Sequence, residues 1–334
     1  MEYREIINAR RIAFGEPDRL MSMAAIKYKW AEDIYDAMEN NTWFPKSIAL
    51  GDDKTLYRSG GLSEREKNAY DKALAFLSNL DGIQFNNLIT NIGLHITAPE
   101  VSLCIARQAA EEGVHVRSYQ FLVEAVSLDP EAIYMMFQKD GMLAKKNAYI
   151  MLQSDVLRDD PTPANFARAV VGNILLEGVH FYAGFLVFYA LAKAGKMIAS
   201  ADMIKYINRD EGGTHLELFA HIHDTFRAEN PGLYDRQFYL DAERMFRDAV
   251  ELEVAWGKYI IQGGFLALTD QVMEDRIKFL GNERWKLVAP HLPALYPGVK
   301  NPCAWVDDFA KVNGGRQNFF ERKPTDYAVG GLDW

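Results

Sequence analysis

The sequence predicts an all-α protein: one bundle of long helices followed by a C-terminal tail. Three observations carry this expectation. Capping signals precede long stretches of helical apolar spacing, at Ser63-Glu64-Arg65-Glu66, Thr97-Ala98-Pro99-Glu100 and Thr162-Pro163. No stretch alternates apolar and polar residues long enough to read as a strand. The run 174–192 imitates a membrane span, yet it carries Glu177 and His180. An ionisable pair is costly in lipid, so the run reads as a helix buried on all sides in a large bundle.

In order along the chain, Glu16-Pro17-Asp18 opens a helical stretch reaching about residue 40. Ser63 and Glu66 form a capping box for a helix to about Ile92, stopped by Gly93. Thr97 and Glu100 form a second box, for a helix to about Leu128, ahead of Asp129-Pro130. Thr162 caps a third, running to Ala194-Gly195. Ser200 caps a fourth, which fades at Asn230-Pro231-Gly232. Two more cover 235–261 and 269–287. The four central helices would each span roughly 40–50 Å at about 1.5 Å per residue. Residues 313–334 carry four glycines and one proline with mixed charge, which reads as a flexible C-terminal tail. The expected division is therefore a helical domain, 1–312, and a tail, 313–334.

Composition excludes several classes. A chain of 334 residues, 49% hydrophobic and 25% charged, is long enough to bury a sizeable core without disulfides. Its two cysteines, Cys104 and Cys303, point to a reducing, cytoplasmic setting. With 37 basic against 46 acidic residues, the net charge of −9 argues against a broad nucleic-acid-binding face. The first seventeen residues are broken by charges and lack the apolar core of a secretion signal. There is no Walker loop and no dinucleotide fingerprint.

The chemistry lies in acids and histidines on the long helices. Glu112 and His115 stand three apart on one helix face, and alone that pair is weak. Asp81 lies deep in the preceding helix, Glu177 lies among Ile174, Leu175, Leu176, Val179 and Phe181, and Glu211 and His215 are about one turn apart in the helix after Ser200. Four successive helices thus offer an acid, an acid–histidine pair, an acid and a second pair. That is the ligand pattern of ferritin-like di-iron and di-manganese carboxylate proteins. Four buried carboxylates carry −4, which two divalent cations balance; otherwise the acids would be protonated or scattered over the surface. Scattering is credible for Glu112, whose neighbour Glu111 is also acidic, and less so for Glu177. Mixed carboxylate and imidazole ligands suit iron or manganese. Tyr119 follows His115 by one turn, close enough for its phenol to be oxidised, while Phe181 and Phe185 could keep such a site dry.

These segments resemble the small, radical-generating beta subunit of class I ribonucleotide reductase, from about Trp43 to the C-terminus. Asn41-Thr-Trp-Phe-Pro45 is similar to the family's tryptophan–proline segment, and Leu80-Asp-Gly-Ile83 to its first ligand segment. The stretch from Glu112 to Tyr119 resembles the ligand pair with the radical tyrosine. The stretches from Glu177 to Phe185 and from Ile207 to Glu211 resemble the third and fourth ligand segments. Asn318-Phe-Phe-Glu-Arg322 with Thr325-Asp-Tyr327 resembles the start of the docking tail.

The resemblance implies that Asp81, Glu112, His115, Glu177, Glu211 and His215 bind two metal ions per chain. The ions would be iron, with manganese or a mixed manganese–iron pair as alternatives. Tyr119 would hold the radical in a pocket of Phe181, Phe185 and Ile207. Asp210 would link His115 to Trp43, and Tyr327 would pass the oxidising equivalent to a large subunit that binds ribonucleotides and makes deoxyribonucleotides. The tail, Trp334 included, would bind that subunit, and the chain would be a homodimer needing neither nucleic acid nor membrane. The rival readings are a ferritin-like oxidase or oxygenase and a non-enzymatic iron-storage protein.

One spacing departs from the family. The last Glu and His are four apart, in Glu211-Gly-Gly-Thr-His215, where three is usual. Two helical glycines cost about 1 kcal/mol each relative to alanine. A distorted helix is therefore expected between Asp210 and His215, a π-bulge being one form it could take. His180 stands three residues after Glu177, a ligand-competent spacing, but reads as a core histidine.

Overall fold

The computed structural model describes residues 3–23 and 26–310. In chain order its α-helices are α1 (Tyr3–Ala9), α2 (Lys29–Asn40), α3 (Gly51–Arg58), α4 (Glu64–Thr90), α5 (Pro99–Val126), α6 (Pro130–Tyr134), α7 (Met136–Lys139) and α8 (Gly141–Asp159). They continue as α9 (Pro163–Leu175), α10 (Tyr182–Lys193), α11 (Ile198–Arg209), α12 (Leu216–Glu229), α13 (Arg236–Ile261), α14 (Asp270–Val288) and α15 (Ala304–Ala310). Two π-helical segments, Leu176–His180 and Asp210–His215, join α9 to α10 and α11 to α12. Extended pairing among the described residues is limited to the bridges Ala13–Ile96 and Phe265–Leu268.

The caps show which local signals held. Ser63 accepts from Glu66 N–H while Glu66 reaches back to Ser63 N–H, so α4 opens on the expected box. Thr162, Asp235 and Thr269 likewise cap α9, α13 and α14. The box expected at Thr97 does not form. Ala98 precedes α5, Thr97 Oγ1 donates to Arg11 O, and Glu100 accepts from Lys27 and Tyr28 N–H. Long-range partners outcompeted the local ones. Ser200 also lies inside its helix, which starts after Met197; its N–H and hydroxyl both bind Asp53 Oδ2. The first helical stretch begins at Lys29 rather than Asp18, because Asp18 binds Arg10 and folds a turn onto Leu20 and Ser22. The sequence signals give no helix at α1, α3, α6, α7, α8 or α15.

α4 and α5 pack along each other, α10 lies on α4 and α11, and α12 lies on α9. Helix α10, with the π segment before it, is the central rod: every residue from Leu176 to Ala192 is buried. The span Pro163–Lys193 is long and apolar enough to cross a membrane by composition, but its most apolar window is wholly covered by the protein. Each of its aromatic side chains contributes about 1.5–3 kcal/mol by leaving water. That burial fixes the rod against α4, α11 and α13, and so fixes the depth of Glu177.

A π turn leaves backbone groups out of register with their usual partners. In the first segment a buried ion pair takes them up: Lys146 of α8 donates to His180 O at 2.9 Å, and Glu253 of α13 accepts from Ala183 N–H at 2.8 Å. The two π segments touch. In each segment a glycine also admits a side chain from a neighbouring helix, Arg284 of α14 or Tyr182 of α10. A Cβ at Gly178 would lie 2.7 Å from the Arg284 side chain, and one at Gly212 would lie 2.6 Å from the Tyr182 hydroxyl.

Candidate metal centre

The six expected ligands converge from four rods. Asp81 comes from α4, Glu112 and His115 from α5, Glu177 from the first π segment, and Glu211 and His215 from the second. All six are fully buried. Donor atoms of Asp81, Glu112, His115 and Glu211 lie within 4.8 Å of one another, as do those of Glu112, Glu177, Glu211 and His215. Glu112 and Glu211 belong to both groups, so the cluster is two sites sharing two carboxylates. His115 Nδ1 is 2.7 Å from Glu211 and 3.3 Å from Glu112; His215 Nδ1 is 3.2 Å from Glu211 and 3.4 Å from Glu112. The expected distortion is present, since Asp210–His215 is π-helical. A π turn holds more residues than an α turn, so a four-residue spacing keeps Glu211 and His215 on one face.

The electrostatics call for cations. Burial, then the charges of Glu211 and Glu112, push the Asp81 carboxyl well above its usual range, and burial with Glu211 does the same to Glu177. Burial alone would lower both imidazoles, yet Glu211 and the neighbouring acids drive His115 and His215 well upward. Both Asp81 oxygens, Glu112 Oε2 and Glu177 Oε2 lack hydrogen-bond partners. Orphaned, buried and mutually repelling acceptors are prohibitive unless a cation takes them. The donor set fits a pair of divalent ions and suits iron or manganese.

Each imidazole is oriented by an acid behind it. His115 Nε2 lies 3.3 Å from Asp210 Oδ2, which accepts from Trp43 Nε1 at 2.7 Å, as the resemblance implied. Trp43 also stacks on Tyr206, centroids 5.2 Å apart. Arg209 holds the other oxygen of Asp210 at 2.9 Å. Burial opposes the charge of Asp210, but His115 and Arg209 hold its carboxyl below the usual range. His215 Nε2 has a counterpart in Glu111, 2.9 Å away, which Arg107 holds from its other side. An acid beside Glu112 suggests a solvent face from the sequence alone, yet Glu111 is buried.

Tyr119 is fully buried and its hydroxyl has no hydrogen-bond partner. Burial first, then Asp81, pushes its phenol well above the usual range. Phe181, Phe185 and Ile207 are buried as well, and the two phenylalanine rings stack at 5.6 Å. His180 is not among the metal-binding groups; its Nδ1 is 3.8 Å from Glu253. Sequence reading missed Gln84, Gln108 and Asn173, whose amides surround Glu177. Their signal was spacing: each stands one turn from a ligand on its own helix. Tyr327 and Trp334 lie outside the described residues.

Residues 20–302 match the family model described as ribonucleotide reductase, small chain. The chain is similar to the ribonucleoside-diphosphate reductase subunit beta of Treponema pallidum, 35% identical over 96% of this chain and 92% of the relative. Its fold is similar to the ribonucleotide reductase R2 subunit of Clostridium botulinum, with a TM-score of 0.86 and 37% identity over 91% of this chain and 95% of that one. The dimanganese(II) NrdF of Streptococcus sanguinis, at 19% identity and a TM-score of 0.69 over 85% of this chain and 99% of that one, shares the fold.

Proposed function

Because the chain belongs to the ribonucleotide reductase small-chain family, we propose that Tyr119 stores the one-electron oxidising equivalent its dimetal site generates. The chain is the small, beta subunit of a ribonucleoside-diphosphate reductase, an oxidoreductase of deoxyribonucleotide synthesis. The observation that supports the storage role is a buried phenol one turn from a ligand, hydrogen-bonded to nothing.

A pair of redox-active metal ions supplies the oxidising power when bound by Asp81, Glu112, His115, Glu177, Glu211 and His215. The protein's own residues do the rest. Burial and Asp81 hold the proton on Tyr119 more tightly than usual, so its oxidation would release a proton as well as an electron, the electron going to the metal pair and the proton to a carboxylate of the same centre, Asp81 among them. The dry shell denies the resulting phenoxyl the water and side chains that would quench it. Transfer outward runs through His115, Asp210 and Trp43, the last only partly buried and so nearest the surface. Tyr327 in segment 313–334 then carries the equivalent to the large, catalytic subunit, which that segment binds.

The metal is iron in this proposal, with manganese or a mixed pair accepted by the same donors. The chain works as a cytoplasmic homodimer. It needs no nucleic acid or membrane. The relatives named above are all reductase subunits, which leaves the oxidase and iron-storage readings without support.

The test loads metal-free protein with Fe(II), adds oxygen, and compares wild type with Tyr119→Phe by EPR. Wild type should give a protein radical and the variant none, with equal iron bound. A radical of unchanged line shape in the variant, or none in wild type under iron or manganese, removes Tyr119 from the role.

A further inference from the structure

The two oxygens of Glu177 have opposite surroundings. Oε1 accepts from the side-chain N–H groups of Gln84, of Gln108 at 2.7 Å and of Asn173 at 3.4 Å. Oε2 has no hydrogen-bond partner and lies 3.8 Å from His215 Nδ1, among the donor atoms of the metal-binding group. The three amides come from three helices. Gln84 follows Asp81 by three residues on α4, Gln108 precedes Glu112 by four on α5, and Asn173 precedes Glu177 by four on α9.

An amide can present either its oxygen or its nitrogen, so the direction of such a network needs an anchor. Here the anchor is the backbone carbonyl of Ser154 on α8, which can only accept. Asn91 gives it one N–H at 2.9 Å, and the same nitrogen donates to Asn87 Oδ1 at 2.9 Å. Asn87, accepting with its oxygen, has its nitrogen left for Gln84 Oε1 at 3.2 Å and Asn173 Oδ1 at 3.1 Å. Both of those amides, accepting with their oxygens, can offer only N–H to Glu177. One acceptor-only carbonyl therefore sets four amides in turn, and every step points a donor inward. Asn87, Asn91, Gln84, Gln108 and Asn173 are all buried, where a wrongly turned amide is expensive.

A carboxylate oxygen has two lone pairs, and three donors leave Oε1 none for a cation. We propose that this branched amide network is a positioning device that holds Glu177 as a one-oxygen ligand through Oε2 and keeps its carboxylate from turning as the site fills. Asp81, the corresponding terminal acid at the other site, has neither oxygen hydrogen-bonded and is free to bind through both. The two metals are thus given unequal carboxylate coordination by side chains that touch neither. The inference rests on the dimetal reading and deepens it.

The test uses Mn(II) as the probe on the full chain, with an EPR titration of bound Mn(II) and a crystal structure of the loaded protein. Asn87→Leu keeps the volume and removes both inward donations one step from the ligand. Gln108→Met, outside the anchored branch, removes one donor to Glu177 directly, together with a longer 3.5 Å contact to Glu112, and serves if the first variant does not fold, the Glu177 contact in the crystal structure being its readout. In wild type Glu177 should contact Mn(II) through one oxygen. In the variants it should turn to bind through both or swing away, and the weaker Mn(II) affinity should change roughly 10–100-fold, the usual reach of groups that orient a ligand. Two Mn(II) ions in wild type with Glu177 bound through both oxygens overturn the proposal, as do folded variants with unchanged Glu177 contacts and affinities. Failure of wild type to bind two Mn(II) ions is a different result: it removes the dimetal reading itself.

Discussion

His115 and His215 each turn Nδ1 to the metal-binding cluster and Nε2 to an acid, Asp210 for one and Glu111 for the other. Without cations both imidazoles and the acids Asp81 and Glu177 hold protons more tightly than usual. All four shifts have the same sign for stability. A group that binds its proton more tightly folded than unfolded favours folding below its unfolded pKa, and that benefit is lost as pH rises through the folded value. The metal-free fold should therefore weaken as pH climbs, from above the ordinary carboxyl range for Asp81 and Glu177 and from above the ordinary imidazole range for His115 and His215, and denaturant titrations at stepped pH will show whether it does. Metal must also displace those protons, so Mn(II) binding at neutral pH should release protons and tighten as pH rises. Calorimetry in buffers of different ionisation enthalpy reads that release, and a buffer-independent heat would contradict it. The six clustered acids and histidines were legible in the sequence because they recur there at helical spacing among apolar neighbours. Glu111 was not, because a second acid beside a ligand looks like a solvent face until the helix is seen to be covered on that side too.

At the scale of elements, the two π segments do the placing. The second was legible from Gly212, Gly213 and the four-residue gap between Glu211 and His215. The first was not, because Gly178 alone gives no sign of it and its stabilising partners lie far along the chain. Those partners are Lys146 and Glu253, which take the displaced His180 carbonyl and Ala183 N–H. Burial pulls the Lys146 ammonium down to about 8 against the attraction of Glu253. Removing one member leaves a buried charge alone, so Lys146→Met should destabilise the metal-free fold by about 3–5 kcal/mol in chemical denaturation. The double variant Lys146→Met with Glu253→Gln should recover part of that, because glutamine still accepts from Ala183. Single and double variants equal to wild type would show that the π turn needs no such partners. The misplaced starts at Thr97 and Ser200 have the same cause as the missed first segment. In each a distant group, Arg11 or Asp53, claims the side chain that local spacing assigned to a cap.

Across the whole molecule, the apolar run that imitates a membrane span is the rod that carries Glu177 into the core, and α4, α5 and the α11–α12 rod bring the other ligands to it. Fold class was readable because apolar helical runs and caps agree over most of the chain. The proposed division of labour separates metal binding in the bundle from delivery by segment 313–334. Deleting that segment should leave two Mn(II) ions bound and abolish turnover with the large subunit; full turnover would take Tyr327 out of the route. The central claim is that four rods bring acids and imidazoles together to hold a pair of cations. Anomalous diffraction at the manganese edge from crystals loaded with Mn(II) tests it most directly. Two peaks per chain are expected, one among Asp81, Glu112, His115 and Glu211, the other among Glu112, Glu177, Glu211 and His215. An empty core, or a single peak away from these residues, would contradict it.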